Sequence, residues 1–168
     1  MDTFTDPRDG NTYNAVEING QVWLAENLRF KGVEYHAPDG DEDNIIEYGC
    51  LYTWDNAMKA CPEGWHLPSK EEYDNLLEYS GSDKSDQFKT LAALGWGGDN
   101  SLGFRVLPAG QWWKGNYYFF GINASVWSST ERKENSIFRA YRLNVSESII
   151  CTDYIREATG LSVRCIKD

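Results

Sequence analysis

Histidine is scarce in this chain: only His36 and His66 occur in 168 residues. A nucleophile–histidine centre or a histidine-rich metal site therefore has almost nothing to be built from. G-x-S-x-G, H-E-x-x-H and a Gly-rich phosphate loop are absent too, which removes the hydrolase and nucleotide motifs that sequence alone reveals. Basic residues are few, 16 against 26 acidic ones, for a formal charge of −10. That balance repels a phosphate backbone and argues against nucleic acid as partner. No apolar run is long enough to cross a bilayer. The opening Met1-Asp2-Thr3 reads as a start from which an export signal or lipid anchor has been trimmed. Repeats, low-complexity tracts and linkers are missing as well, so one domain over 1–168 is expected, as a monomer.

What is present in quantity is aromatic: 14% of the chain, with seven Trp and ten Tyr. Such residues fill cores and line binding surfaces. Four cysteines are present, Cys50, Cys61, Cys151 and Cys165, none in a C-x-x-C pair. An even count in such a chain reads as two disulfides in an exported protein. Sequence leaves three connectivities open.

The most informative stretch is 61–72, CPEGWHLPSKEE. Pro62 and Gly64 make a turn. Trp65 and Leu67 alternate with His66 as in a short strand, which makes His66 a satisfied structural histidine. Ser69 and Glu72 form a capping box. The helix 70–80 that follows places Tyr73, Leu76 and Leu77 on one face and stops at Gly81. A helix is expected over 51–61, with Leu51, Trp54, Met58 and Cys61 on one side. Another is expected over 85–94, with Phe88, Leu91 and Ala92 inward and Gly95 as its stop. At the N-terminus, 6–10 is a turn, and Asn19-Gly20 signals a hairpin that places Val16, Ile18, Val22 and Leu24 on one face. Strands are expected at 103–107, 111–113, 117–120, 125–128, 138–144, 149–152 and 161–166. Early helices and late antiparallel strands define an α+β domain.

Residues 31–49 are acidic and polar. Asp39, Asp41 and Asp43 have the spacing of a calcium loop, but Asn44 stands where that loop needs Gly and Cys50 where it needs Glu. A solvated loop is the better reading.

The blocks NGQVWLAENL at 19–28, YGCLYTWDNAM at 48–58, CPEGWHLPSKEEY at 61–73, GFRVLPAG at 103–110, VWSSTE at 126–131 and GLSVRCIKD at 160–168 follow one another in order. Together they resemble the Fibrobacter succinogenes major paralogous domain, a family of exported bacterial domains. More distantly they resemble the C-type-lectin-like fold. That resemblance implies a twisted antiparallel sheet with two main helices and an N-terminal hairpin. It suggests that Cys61 pairs with Cys165, leaving Cys50 with Cys151, and it implies no activity. Formylglycine-generating enzymes share the scaffold and use two closely spaced cysteines near the C-terminus. Here Cys165 stands alone in the last strand, with Cys151 fourteen positions earlier. C-type lectins place calcium ligands at a Trp-Asn-Asp-like strand. Here that place reads Trp127-Ser128-Ser129, hydroxyls suited to bonding backbone, and Glu131 or Asp99-Asn100 are the nearest calcium candidates.

The functional lead is the run QWWKGNYYFFG at 111–121. Strand alternation sends Trp112 and Trp113 to opposite faces, and likewise Tyr117 and Tyr118. Half of these rings cannot enter one core. The expected ligand contacts are Trp112, Trp113, Tyr117 and Phe119, joined by Tyr154 and Arg156 from the last loop. The expected function is a non-enzymatic, exported or cell-surface binding or adhesion module for a glycan or protein ligand, without cofactor. The alternatives are an enzyme on the formylglycine-generating scaffold and a ligand-capture scaffold diversified over 141–158.

The capping box yields a direct prediction. Ser69→Ala lowers stability by about 1 kcal/mol while helix 70–80 still forms, because its apolar face is packed. A shifted urea midpoint with little change in far-UV dichroism is the expected readout; an unchanged midpoint removes Ser69 as the cap.

Overall fold

The structure, a computed structural model, describes residues 2–168. It opens with β1 (Asp2–Thr5), β2 (Thr12–Ile18) and β3 (Gln21–Leu24), all antiparallel. Asn19 and Gly20 both take positive φ, 50° and 78°, as the type I′ turn requires. A two-residue turn sets Ile18 opposite Gln21, Val16 opposite Trp23 and Ala15 opposite Leu24. The expected face of Val16, Ile18, Val22 and Leu24 is thereby corrected: even-numbered residues of β2 share a face with odd-numbered residues of β3. Both faces are used, Tyr13, Ala15 and Leu24 in one core cluster, Ile18 and Trp23 in the other.

The acidic loop contains two 3-10 turns, Pro38–Gly40 and Glu42–Asn44, and the single-turn α1 (Ile45–Tyr48). After it come β4 (Leu51–Tyr52), α2 (Trp54–Ala60) and β5 (Trp65–His66). The expected helix 51–61 is thus shorter at both ends. Leu51 and Tyr52 are drawn into strand pairing with Ser162 and Leu161. Its buried face is Ala57 and Ala60, small enough for close approach, and Met58 is exposed.

α3 (Lys70–Ser80) has the full capping box: Ser69 Oγ accepts from Glu72 N and Glu72 accepts from Ser69 N at 2.7 Å. α4 (Lys84–Leu91) is capped by Asp83 and ends before Gly95, because Ala92 is extended and forms a bridge with Val106. Residues 103–107 make only that bridge. Arg105 at φ 53° breaks the strand, although Phe104 and Val106 are buried.

The remaining strands are β6 (Gln111–Trp113), β7 (Asn116–Tyr118), β8 (Ala124–Glu134), β9 (Ile137–Val145), β10 (Ile150–Arg156), β11 (Leu161–Ser162) and β12 (Ile166–Lys167). They complete an α+β architecture with two five-stranded sheets, ordered β1-β2-β3-β12-β5 and β10-β9-β8-β11-β4, and the separate hairpin β6-β7. All ladder pairings are antiparallel except β11 with β8. Tyr154 and Arg156 therefore lie in β10, not in a loop: β9 continues past Asn144 and recruits them as partners. Among the described residues no helix is long and apolar enough to cross a membrane.

Cys61 and Cys165 are disulfide-bonded, with Cα atoms 5.9 Å apart and a sequence separation of 104. Closing a loop of that length contributes about 4–5 kcal/mol in the chain-entropy model. Cys50 and Cys151 are free thiols, which corrects the second pairing. Cys50 precedes β4 and Cys151 is in β10, at opposite edges of one sheet. Four strand spacings of about 4.8 Å lie between those edges, far beyond disulfide reach.

Arg164, beside the disulfide, is fully buried. Its guanidinium donates to Asn27 Oδ1 at 2.8 Å, Leu24 O at 3.2 Å, Phe104 O and Arg105 O, and stands 4.5 Å from the Phe104 ring centroid. Burial pulls its pKa down to about 10, so it stays charged at neutral pH. Arg164→Met is expected to cost about 3–5 kcal/mol, since it leaves buried acceptors without a donor. Arg164→Lys also destabilises, because one ammonium does not span acceptors on three segments. Equilibrium unfolding of both variants checks this, and a parental midpoint in Arg164→Met contradicts it.

Candidate ligand-binding groove

The β6-β7 hairpin is held from below by the acidic loop. Trp112 stacks flat on His36, centroids 3.8 Å apart at 9°, and exchanges backbone hydrogen bonds with Gly160. A side chain at 160 would meet Trp112 Cβ at 3.0 Å, so the close approach depends on glycine. Tyr117, directly opposite Trp112, lies over Gly40. Phe120 meets Tyr48 edge-on at 4.9 Å. Trp112 and Tyr117 are thus anchors against the loop, and neither lines a cavity among the described pockets. Gly110 enters the hairpin at φ 68°, where a Cβ would lie 2.4 Å from Tyr118 O.

The other face of the hairpin looks across the β8-β9-β10 sheet. Three adjoining cavities open there, of about 760, 490 and 330 Å³. Trp113 and Arg156 line the first two, and Gln111 and Ile155 the second and third. Shared walls make one groove. At one end stand Trp54, Glu131 and Phe138. At the other stand Phe119, Ile122 and Ile149 around a polar floor.

That floor is a closed network. Asp153 takes Arg142 Nε at 2.7 Å and Asn144 Nδ2 at 3.0 Å. Asn123 Nδ2 donates to Asn144 Oδ1 at 2.7 Å and Ser125 Oγ to Asn123 Oδ1 at 2.7 Å. Arg142 Nη1 donates to Ser125 Oγ at 3.0 Å and to Gln111 Oε1 at 3.3 Å. Fixed donors and acceptors beside an indole suit a ligand that offers both a flat apolar face and hydroxyls or amides.

Of the expected contacts, Trp113, Phe119 and Arg156 come together in the groove. Tyr154 does not. Arg132 Cζ lies 3.9 Å from its ring centroid, and Tyr141 packs edge-on to it at 5.9 Å. Sequence reading missed Gln111, Asn123, Arg142, Asn144 and Asp153. Their signal was the polar alternation Arg142, Asn144 in β9, visible once β9 is paired with β10.

The other candidates are engaged elsewhere. Asp41 accepts from Asp43 N at 3.0 Å. Asp99 accepts from Ser101 N at 2.9 Å and faces Lys89 at 3.8 Å, and Asn100 accepts from Arg105 N at 2.7 Å. Ser128 Oγ accepts from Thr130 N at 3.1 Å, and the Trp127 ring donates to Tyr52 O at 2.7 Å. Among the described residues no group of three His, Cys, Asp or Glu side chains stands close enough to hold a metal ion. Burial lowers the pKa of His36, pushes the Cys50 thiol up to about 11 and raises Cys151. An activated thiolate is shifted the other way.

The family model described as Fibrobacter succinogenes major domain matches residues 16–167. No curated protein and no solved structure matches the chain.

His66 is satisfied on both ring nitrogens, Nδ1 by Asp168 at 2.7 Å and Nε2 by Glu72 at 2.9 Å. Two carboxylates demand two donors, which is the imidazolium form. Burial works against that form, but the hydrogen bonds to Asp168 and Glu72 outweigh it, and the pKa is raised. A raised folded pKa contributes stability below the unfolded value of about 6.5 and loses it as pH climbs through the folded value. Solvent screening keeps the effect to a few tenths of a kcal/mol, roughly. Between pH 6 and pH 8 the midpoint of the parent is expected to fall relative to that of His66→Gln; parallel profiles contradict it.

Proposed function

This chain belongs to the Fibrobacter succinogenes major domain family, and we propose that it is an exported or cell-surface binding or adhesion module, without enzymatic activity, on a C-type-lectin-like scaffold. The observation that carries the reading is the continuous groove with Trp113 at its centre and the Arg142–Asp153 network as its floor. A glycan fits this chemistry: a sugar ring stacks on the Trp113 indole, and its hydroxyls exchange hydrogen bonds with Gln111, Asn123 and Asn144. The Cys61–Cys165 disulfide supports an oxidising compartment. The state of the thiols argues against the enzymatic alternative, since Cys165 is bonded and Cys151 is shifted away from reactivity. The stretch 141–158 supplies Arg142, Asn144, Ile149, Ile155 and Arg156 to the groove. Variation at those groove positions, with the core residues Leu143, Val145 and Ile150 kept, would change the ligand as a capture scaffold requires.

A protein ligand is the second reading, favoured by the exposed side chains at the groove's mouths. Ile122 is 64% and Phe138 60% exposed, with Phe119 and Ile149 beside Ile122. Apolar rims of this kind mark protein contacts more than sugar contacts.

A glycan array probed with the oxidised protein separates the two. Trp113→Ala is expected to weaken the identified glycan by about 2 kcal/mol, on the order of thirtyfold, while Trp112→Ala acts through stability. EDTA leaves binding unchanged. Glycan binding that survives Trp113→Ala and disappears with EDTA overturns the groove reading in favour of a metal-dependent one.

A further inference from the structure

We infer that the hairpin end of the β8-β9-β10 sheet is a second site, for a polysaccharide bearing carboxylate or sulfate groups. Arg132 stands directly opposite Arg139 in the β8-β9 ladder, and Arg139 directly opposite Arg156 in the β9-β10 ladder. Three arginines thus form one row across three adjacent strands. Like charges in direct cross-strand opposition destabilise a sheet. The chain carries 26 acidic side chains against 16 basic ones, so carboxylates were available to break the row. Among the described residues Arg139 and Arg156 make no ion pair, and Arg132 reaches only Glu134, at 3.4 Å.

The row is also held in place. The Tyr154 ring centroid lies 3.9 Å from Arg132 Cζ and 5.5 Å from Arg139 Cζ. Cation–π contact of this kind restrains guanidinium groups without neutralising them. Tyr141, directly opposite Tyr154 in the β9-β10 ladder, packs edge-on against it at 5.9 Å. The Arg132 and Arg139 forks are therefore positioned before any anion arrives, and each matches a carboxylate or sulfate with two hydrogen bonds.

Spacing selects the polymer. Opposed residues in an antiparallel ladder stand about 4.5–5.5 Å apart, roughly the length of one sugar ring per step. Same-face carboxylates of an extended peptide stand about 6.6 Å apart. The −10 net charge opposes every polyanion, and screening over a Debye length of about 8 Å leaves the row as the part of the surface that a bound one meets. Arg132 and Arg139 line none of the groove cavities, so the site stands apart from the groove reading except at Arg156.

The test uses dextran sulfate and polygalacturonate as probes against the oxidised full chain, with uncharged dextran, poly-L-glutamate and single-stranded DNA for comparison. Binding to at least one charged polysaccharide is expected, weakening as salt rises. Arg139→Gln lowers affinity about fivefold, and Arg132→Gln with Arg139→Gln about twenty-five-fold. Thermal stability is unchanged or raised in both, because repulsion within the row is relieved; a merely structural row would lose stability instead. Trp113→Ala binds these probes like the parent, which separates this site from the groove. The proposal is overturned if neither charged polysaccharide binds, if poly-L-glutamate or DNA binds as tightly, or if Arg132→Gln with Arg139→Gln retains parental affinity.

Discussion

A buried guanidinium holds this fold together. Arg164 reaches Leu24 in the N-terminal sheet, Asn27 just beyond it, and Phe104 and Arg105 in the loop after the helices. One residue on, Cys165 ties the same connection between β11 and β12 to Cys61 at the end of α2. Its neighbours add backbone bonds, Cys165 O accepting from Leu24 N and Val163 O from Leu28 N. Without five donors on one planar group, the Leu24, Phe104 and Arg105 carbonyls and the Asn27 amide oxygen would converge in the interior with nothing between them. A charge there is tolerated because every direction it faces is an acceptor or the Phe104 ring.

That clamp ties the N-terminal sheet to the 104–105 loop, and the acidic loop fixes the hairpin that walls the groove over the other sheet. The two halves of the Trp112-Trp113 pair do different work. Trp112 spends its ring on His36 and its backbone on Gly160, so the hairpin has one position. Trp113, on the other face, is then presented to the groove. A binding surface made this way is preorganised, and a ligand does not have to order it. The Arg142–Asp153 network does the same for the floor, where each polar atom is aimed by another.

The two surfaces use opposite electrostatic strategies. In the groove, Arg142 is matched by Asp153 and its field is spent locally. In the row, three arginines stand in register; the Tyr154 ring holds Arg132 and Arg139, and Glu134 pairs with Arg132 alone. Arg156 belongs to both, at the end of β10. An acidic protein with one such cationic edge has a directional field, repelling anions over most of its surface and least at that side.

Local chemistry was legible in the residues alone. Ser69 and Glu72 cap α3, Asn19-Gly20 turns the hairpin, and Phe88 and Leu91 face inward, because each depends on neighbours within a few positions. The claim that half of the 112–120 aromatics must leave the core also followed from strand alternation alone. What turned each of them inward or outward came from the 31–49 loop, whose polar composition gave no sign that His36, Gly40 and Tyr48 would carry three rings. The same limit explains the errors. Leu51 and Tyr52 suit a helix until β11 offers them a ladder, and Cys50 and Cys151 pair by arithmetic until the sheet puts four strand spacings between them. The arginine row is the clearest case. Arg132, Arg139 and Arg156 are spaced without pattern along the chain, and only the registers of β8, β9 and β10 make them neighbours, since cross-strand distance is set by hydrogen bonding between strands and not by separation in sequence.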